Sequence, residues 1–287
     1  MKKMVSVLIL CILLCSGCSP QQVGQEPSSL QQEPSPSSSQ SPAPTLMPPL
    51  DSTIDISALD NTTYGWGLKK VKNAAPEVPS TIESTLKQYD AYYLGDTSSK
   101  VLYLTFDEGY ENGYTSKILD VLRDNQVPAC FFITGPYLKT EQELVRRMAE
   151  EGHDVGNHTI NHPSMPSVSD NDKLKQEITE LSEEYYNLTG QTMLFIRPPK
   201  GEYSERTLAL TRDLGMKTIF WSFAYKDWDT NFQRGSDFAY QEVMDYIHNG
   251  CIILLHAVSK DNADALDRII KDAQAQGYTF QSLRDLP

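Results

Sequence analysis

His158 and His162 stand four residues apart in the segment Asn157-His158-Thr159-Ile160-Asn161-His162-Pro163. Neutral imidazoles at that separation converge on one metal ion if the segment turns as a helix does, although surface histidines also occur four apart. Two carboxylates, Asp107 and Glu108, end an apolar run and are available to complete a ligand set or to carry protons. Arg197 opens the string Arg197-Pro198-Pro199-Lys200-Gly201-Glu202-Tyr203, in which the prolines stiffen the turn and the guanidinium is a permanent cation. Asp227-Trp228 sets a carboxylate beside an indole, and His256 closes a further apolar run. The chemistry open to such a collection is binding of a metal ion, a reading to which the two carboxylates add weight.

These groups need a scaffold that brings them together. Val101 to Phe106 is an uninterrupted apolar, β-branched and aromatic run, suited to a strand buried on both faces, and Gly109 lets the chain turn just beyond it. Similar runs follow at 129–134, 153–156, 193–196, 217–222, 251–255 and 278–280. Between them, Leu174, Ile178, Leu181, Tyr185 and Leu188 recur at helical spacing, as do Ile118, Leu119 and Leu122, and Ala265, Ile269 and Ile270. Strand and helix in alternation predict an α/β fold with a parallel sheet. About seven strands suit a closed or nearly closed (β/α) barrel, with an open doubly wound sheet as the alternative. In either, chemistry sits just past the carboxyl ends of strands. Charged or titratable groups indeed follow the first, third, fourth, fifth and sixth runs.

Taken in order, TFDEG, HTINH, RPPKG, DW and LLH resemble the five motifs of the polysaccharide deacetylase family, the NodB-homology carbohydrate esterases, over residues 100–287. The longer strings TFDEGYENGYT, RPPKGEYS, DWDTN and LLHAVSKDNADALD, with GWGLKK upstream, resemble the muramic-acid de-N-acetylases that serve muramic δ-lactam formation in spore cortex peptidoglycan. The resemblance implies a deformed (β/α) barrel of NodB-homology type and a divalent metal, often zinc. It implies Asp107 as catalytic base, His256 as general acid, Arg197 as support for the base and Asp227 as the group that orients the acid. Glu108, His158 and His162 fall on the metal triad. Trp228, Lys200, Gly201 and Tyr203 fall on the substrate groove, with the backbone N–H of Lys200 offered to the oxyanion. Two departures stand out: Glu108 occupies a place where the family carries Asp, or Asn in the spore group, and Lys200 replaces a common aromatic residue.

The 287 residues carry a formal net charge of -13, which argues against a nucleic-acid partner, for which a basic face is expected. Residues 1–18 read as a signal peptide: Met1-Lys2-Lys3, an apolar stretch to Leu14, then Cys15-Ser16-Gly17-Cys18, which resembles a lipobox with Cys18 as the lipidated residue. That implies an extracytoplasmic domain anchored to the membrane, acting on peptidoglycan glycan strands. Residues 19–58 are rich in Ser, Pro and Gln and read as a flexible tether, and residues 59–99 as an ordered strap with Trp66 as a packing anchor. Cys130 and Cys251 fall inside apolar runs and read as buried free thiols. His153 and His248 read as structural or surface residues, Tyr185-Tyr186 as helix packing, and Asp261, Asp264 and Asp267 as a solvated helix face. A glycan-binding module that has kept the barrel is the competing class. A serine hydrolase lacks its G-x-S-x-G elbow here, and no phosphate-binding loop supports a nucleotide enzyme.

Overall fold

The run ending on Asp107 and Glu108 forms one strand in which every residue is buried, as its lack of polar alternation requires. The structure is a computed structural model and describes residues 54–287. Ahead of this strand come β1 (Tyr64–Gly65), α1 (Ser80–Gln88) and β2 (Ala91–Tyr92); the strand itself is β3 (Val101–Glu108). Then follow α2 (Thr115–Asn125), β4 (Ala129–Ile133), α3 (Gly135–Thr140), α4 (Gln142–Glu150), β5 (Asp154–Asn157), α5 (Asn171–Thr189) and β6 (Phe195–Ile196). The rest comprises β7 (Glu202–Tyr203), α6 (Glu205–Asp213), β8 (Lys217–Ile219), α7 (Ser236–Tyr246), β9 (Cys251–His256), α8 (Lys260–Ala275) and β10 (Thr279–Phe280). Each apolar run read from the sequence overlaps a strand, namely β3, β4, β5, β6, β8, β9 and β10.

The sheet is parallel throughout and centres on β3. One edge of β3 pairs with β9, from Leu102 opposite Cys251 to Asp107 opposite His256. Its other edge pairs first with β10 and then, from Leu104 opposite Ala129 to Glu108 opposite Ile133, with β4. The order continues through β5, β6 and β8 to β2. Past the end of β8, Phe223 bridges in parallel to Ile253 of β9, so the sheet curls round on itself. The architecture is the deformed (β/α) barrel, not the open doubly wound sheet.

Helices cover the outside. On α5, Leu174, Ile178, Leu181 and Tyr185 are the buried residues, at the spacing of one helix face, while Tyr186 is exposed. Ser204 opens α6 with a reciprocal capping box to Thr207, which fixes where the chain leaves the Pro198-Pro199 turn. Cys130 and Cys251 are buried and free.

The strap contributes more than packing. Its β2 joins the parallel sheet beside β8, and β1 pairs antiparallel with β7 just beyond the Arg197 turn. The Trp66 backbone N–H donates to the Gly201 carbonyl at 2.8 Å and its Nε1–H to the Trp221 carbonyl at 2.9 Å, while its ring stacks on Phe220. Order also begins before residue 59: Ile56–Ala58 is a short 3-10 helix capped by Asp55, and Ile56 packs on the core, which a Ser/Pro/Gln-rich composition upstream conceals. The signal peptide, the Cys18 lipobox and most of the tether lie outside the described residues. Among the described residues no helix is long and apolar enough to cross a membrane.

Candidate active site

A cavity of about 550 Å³ opens at the carboxyl ends of the strands, bordered by Asp107, His158, His162, Lys200, Gly201, Trp228 and His256. Asp107 and His256 meet because β3 and β9 pair them in register, which sends both side chains to the same face. Arg197, wholly buried at the end of β6, reaches beneath them. Its Nη1 donates to Asp107 Oδ1 at 2.7 Å, its Nε to the Ile219 carbonyl at 3.1 Å and its Nη2 to the Phe220 carbonyl at 3.3 Å. The guanidinium also lies 4.2 Å above the Phe132 ring. All these partners are fixed by the sheet, so the cation is rigid.

That cation sets the charge of Asp107. Burial by itself would raise the Asp107 pKa, but Arg197, with His158 and His256, outweighs it and holds the carboxyl below its usual range. Asp107 is therefore an anion with one oxygen, Oδ1, committed to Arg197 and the other, Oδ2, 3.6 Å from His158 Nε2. His158 Nδ1 donates to the Arg197 carbonyl at 2.7 Å, which leaves the Nε2 lone pair as the free one. Burial pushes the His158 pKa down to about 4, so this ring is neutral. His162 is neutral too, its pKa lowered chiefly by burial.

His256 is arranged the opposite way. Its Nδ1 is 2.8 Å from Asp227 Oδ1, and its backbone N–H donates to Asp227 Oδ2, also at 2.8 Å. Burial favours the neutral ring, but the charge and hydrogen bond of Asp227 prevail and the His256 pKa is raised. Asp227 is held in turn by Asn262, whose Nδ2–H donates at 2.6 Å, and the Tyr225 hydroxyl donates to Asn262 Oδ1. Motif reading missed Asn262 and Tyr225. Asn262 stands in the first turn of α8 behind the Ser259 cap, and its place in the string LLHAVSKDN was the available signal.

The two histidines approach by a different route from the helical turn expected. The segment after β5 is not helical; Thr159 and His162 take left-handed backbone conformations, with φ of 64° and 54°. The Asn157 side chain accepts from the Thr159 N–H, and the Thr159 hydroxyl accepts from the His162 N–H. The rings end 4.8 Å apart, edge to face.

Glu108 does not join them. Successive strand residues point to opposite faces, so a side chain following Asp107 is carried away from the cavity as long as the strand continues, and β3 includes Glu108. Its carboxyl is fully buried without a hydrogen-bond partner, and burial, reinforced by Glu111 and Asp107, raises its pKa well above the usual value. Among the described residues no group of three or more His, Cys, Asp or Glu is placed to hold a metal ion. His158 and His162 offer neutral nitrogens suited to a divalent cation, but the implied triad with Glu108 is not assembled, and the residues do not fit that metal site.

The groove residues also divide. Trp228, 55% exposed, lines the cavity, and so does the exposed Tyr110, which the motifs had not singled out. Lys200 and Gly201 border the cavity, with φ of 60° and 67°. Tyr203 does not: it is buried among Trp66, Phe220 and Tyr64, because β7 turns its side chain into the strap-facing core. Asp261 likewise departs from the solvated face expected of it, since its buried Oδ2 accepts the Arg234 and Gly235 backbone N–H groups at 2.7 Å. His153 and His248 are buried, the latter between the Tyr246 carbonyl and the Ser222 hydroxyl.

Residues 94–219 match the family of polysaccharide deacetylases. The chain is 46% identical over 231 residues to the peptidoglycan-N-acetylmuramic acid deacetylase PdaA of Bacillus subtilis, covering 80% of this chain and 88% of that protein. It is 53% identical over 231 residues to an uncharacterized 30.6 kDa protein of Geobacillus stearothermophilus, covering 80% of this chain and 87% of that protein. The solved structure of Bacillus subtilis PdaA, a family 4 carbohydrate esterase, superposes with a TM-score of 0.77 at 44% identity, covering 79% of this chain and 98% of that one.

Proposed function

Because the chain belongs to the polysaccharide deacetylase family, a family of carbohydrate-acting hydrolases, we propose that it removes the N-acetyl group of N-acetylmuramic acid in peptidoglycan. The observation that carries this reading is the opposed tuning of two groups paired across β3 and β9: the Asp107 pKa lowered by Arg197, and the His256 pKa raised by Asp227. An amide resists hydrolysis because its amine is a poor leaving group, so a water must be deprotonated on one side and the nitrogen protonated on the other. Asp107 Oδ2, the oxygen left free by Arg197, takes the proton from the attacking water. His256 then gives its proton to the departing nitrogen, and Asp227 stabilises the imidazolium until that transfer. Trp228 and Tyr110 supply faces for the apolar side of a sugar ring, and the Lys200 N–H is the donor assigned to the carbonyl oxygen.

Similarity to the PdaA enzyme supports muramic acid as the sugar. Deacetylation there frees an amine next to a lactyl carboxylate, the pair of groups that closes into a δ-lactam, which fits a role in spore cortex. The leader and Cys18 support an extracytoplasmic, lipid-anchored domain. The test is acetate release from purified peptidoglycan, with mass spectra of the fragments. Loss of one acetyl per muramic acid, reduced about 10²- to 10⁴-fold in Asp107→Asn, is expected. Acetyl loss confined to N-acetylglucosamine, the substrate named for a 32% identical Bacillus cereus deacetylase, would replace this reading.

A further inference from the structure

A second hollow, of about 350 Å³, opens beside the catalytic cavity and shares two of its lining residues, Ala224 and Tyr225. Lys70, Lys226 and Arg234 border it, with Glu242 as the one acid among its described lining residues, in a chain whose formal net charge is -13. The hydrolytic steps use none of these charges. Two of the cations are answered: Lys70 pairs with Glu242, and Lys226 with Asp229 at 3.0 Å. Arg234 is exposed, and its guanidinium forms neither an ion pair nor a hydrogen bond with a described residue.

The fold holds that guanidinium in place. It lies 3.5 Å from the centre of the Phe238 ring, so one of its faces is covered by an aromatic surface while the edges that carry its N–H donors stay open to a ligand. The backbone is pinned as well: the Arg234 and Gly235 N–H groups both donate to the Asp261 carboxylate at 2.7 Å. Next to them, the Gln233 side chain accepts from the Ser259 hydroxyl at 3.0 Å and from the Asp261 N–H at 3.2 Å. The burial of Asp261 thus serves this loop. Also on the wall of the hollow, Phe232 is 56% exposed, and the Lys226 ammonium lies 5.7 Å from its ring. An open aromatic face near a held guanidinium suits a sugar that bears a carboxylate, because the apolar side of the sugar can lie on the ring while the planar cation takes both oxygens.

We propose that Arg234 and Phe232 form a second glycan subsite, which takes a carboxylate carried by a sugar of the same strand that is not itself being deacetylated. This rests on the muramic reading above. Because Ala224 and Tyr225 belong to both hollows, a strand seated with one acetamide between Asp107 and His256 can run on into the second. Peptidoglycan offers a carboxylate there from two sources, the lactyl group of another muramic acid or a peptide joined to it. Both present the same planar anion to Arg234, whereas a neutral sugar gains only the stacking on Phe232. The contact lies away from the bond that breaks, so it strengthens substrate binding without altering the proton transfers at Asp107 and His256.

The experiment uses tetrasaccharides with two N-acetylmuramic residues. One residue is the same throughout, and the other carries a free lactyl acid, its methylamide, or an L-alanine in amide linkage, in both orders along the strand. Mass spectra locate the acetyl loss, and kcat/KM is measured at the constant residue for wild type, Arg234→Met and Arg234→Lys. A general loss of structure lowers all three compounds together and leaves their ratios as they were. In one of the two orders, wild type is expected to prefer at least one carboxylate-bearing compound over the methylamide by about fivefold, mainly through KM. That preference should vanish in Arg234→Met, survive in part in Arg234→Lys, and shrink with added salt. A larger preference for the lactyl acid assigns the anion to the sugar, and one for the alanyl compound assigns it to the peptide. Equal rates on the three compounds in wild type, or a preference that Arg234→Met retains, overturn this inference and leave the muramic reading standing. Absence of muramic acetyl loss from every compound overturns that reading and this inference with it.

Discussion

Replacing Glu108 by methionine is expected to stabilise the protein. The wild-type carboxyl is wholly buried, both its oxygens lack a partner, and its pKa is raised mainly by burial. A polar group buried without a hydrogen bond costs about 1–3 kcal/mol in proteins, and methionine, unbranched and flexible, can fill the same space without polar atoms. At about 2–4 °C per kcal/mol for a domain of this size, the melting temperature should rise by roughly 2–12 °C. The gain should also depend on pH. A carboxyl raised in the folded state is neutral there while the unfolded chain ionises above about 4.5, so wild type is penalised increasingly as pH rises beyond that value, and below it the penalty is absent. Glu108→Gln, which imitates the neutral acid, should abolish the pH dependence while keeping the polar burial. Calorimetric melting of the three proteins between pH 4 and pH 8 measures both effects, and titration with zinc measures binding alongside. If Glu108→Met melts below wild type and binds zinc more weakly, the carboxylate faces the histidines and the placement of Glu108 away from them is refuted.

Two further outcomes follow from the buried charges. Asp227→Asn removes the anion that opposes burial at His256, so the His256 pKa should drop and the alkaline limb of the kcat/KM profile, where the acid loses its proton, should move to lower pH; a pH–rate series checks it. Arg197→Met leaves Asp107 buried beside no cation and should destabilise the fold by about 3–5 kcal/mol in urea unfolding, along with loss of acetate release.

Much of the architecture was legible because strands buried on both faces write themselves as unbroken apolar runs. Each such run became a strand, and the expected turn residues followed them. The short β2 escaped, since two residues carry no period, and so did the role of Trp66 in bracing the Lys200 turn from a distant part of the chain. Asp107, Arg197, Asp227 and His256 could be named from motif order. That β3 and β9 would pair Asp107 with His256 was not written in either run.

Sequence by itself therefore determined the residue types of the site, their order along the chain and the strand-helix alternation of a parallel sheet, because these depend on local pattern; that the sheet curls into a barrel was settled by the bridge from Phe223 to Ile253. Only the tertiary structure decided which way each side chain faces and which charge it holds. Glu108 follows Asp107 directly, yet strand geometry turns one toward the cavity and the other into the core, and the surroundings lower the pKa of the first and raise that of the second. The turn around Lys200 shows the same division: its prolines and glycine are plain in the sequence, but only packing against Trp66 and Trp221 fixes a lysine in a glycine conformation at the cavity wall.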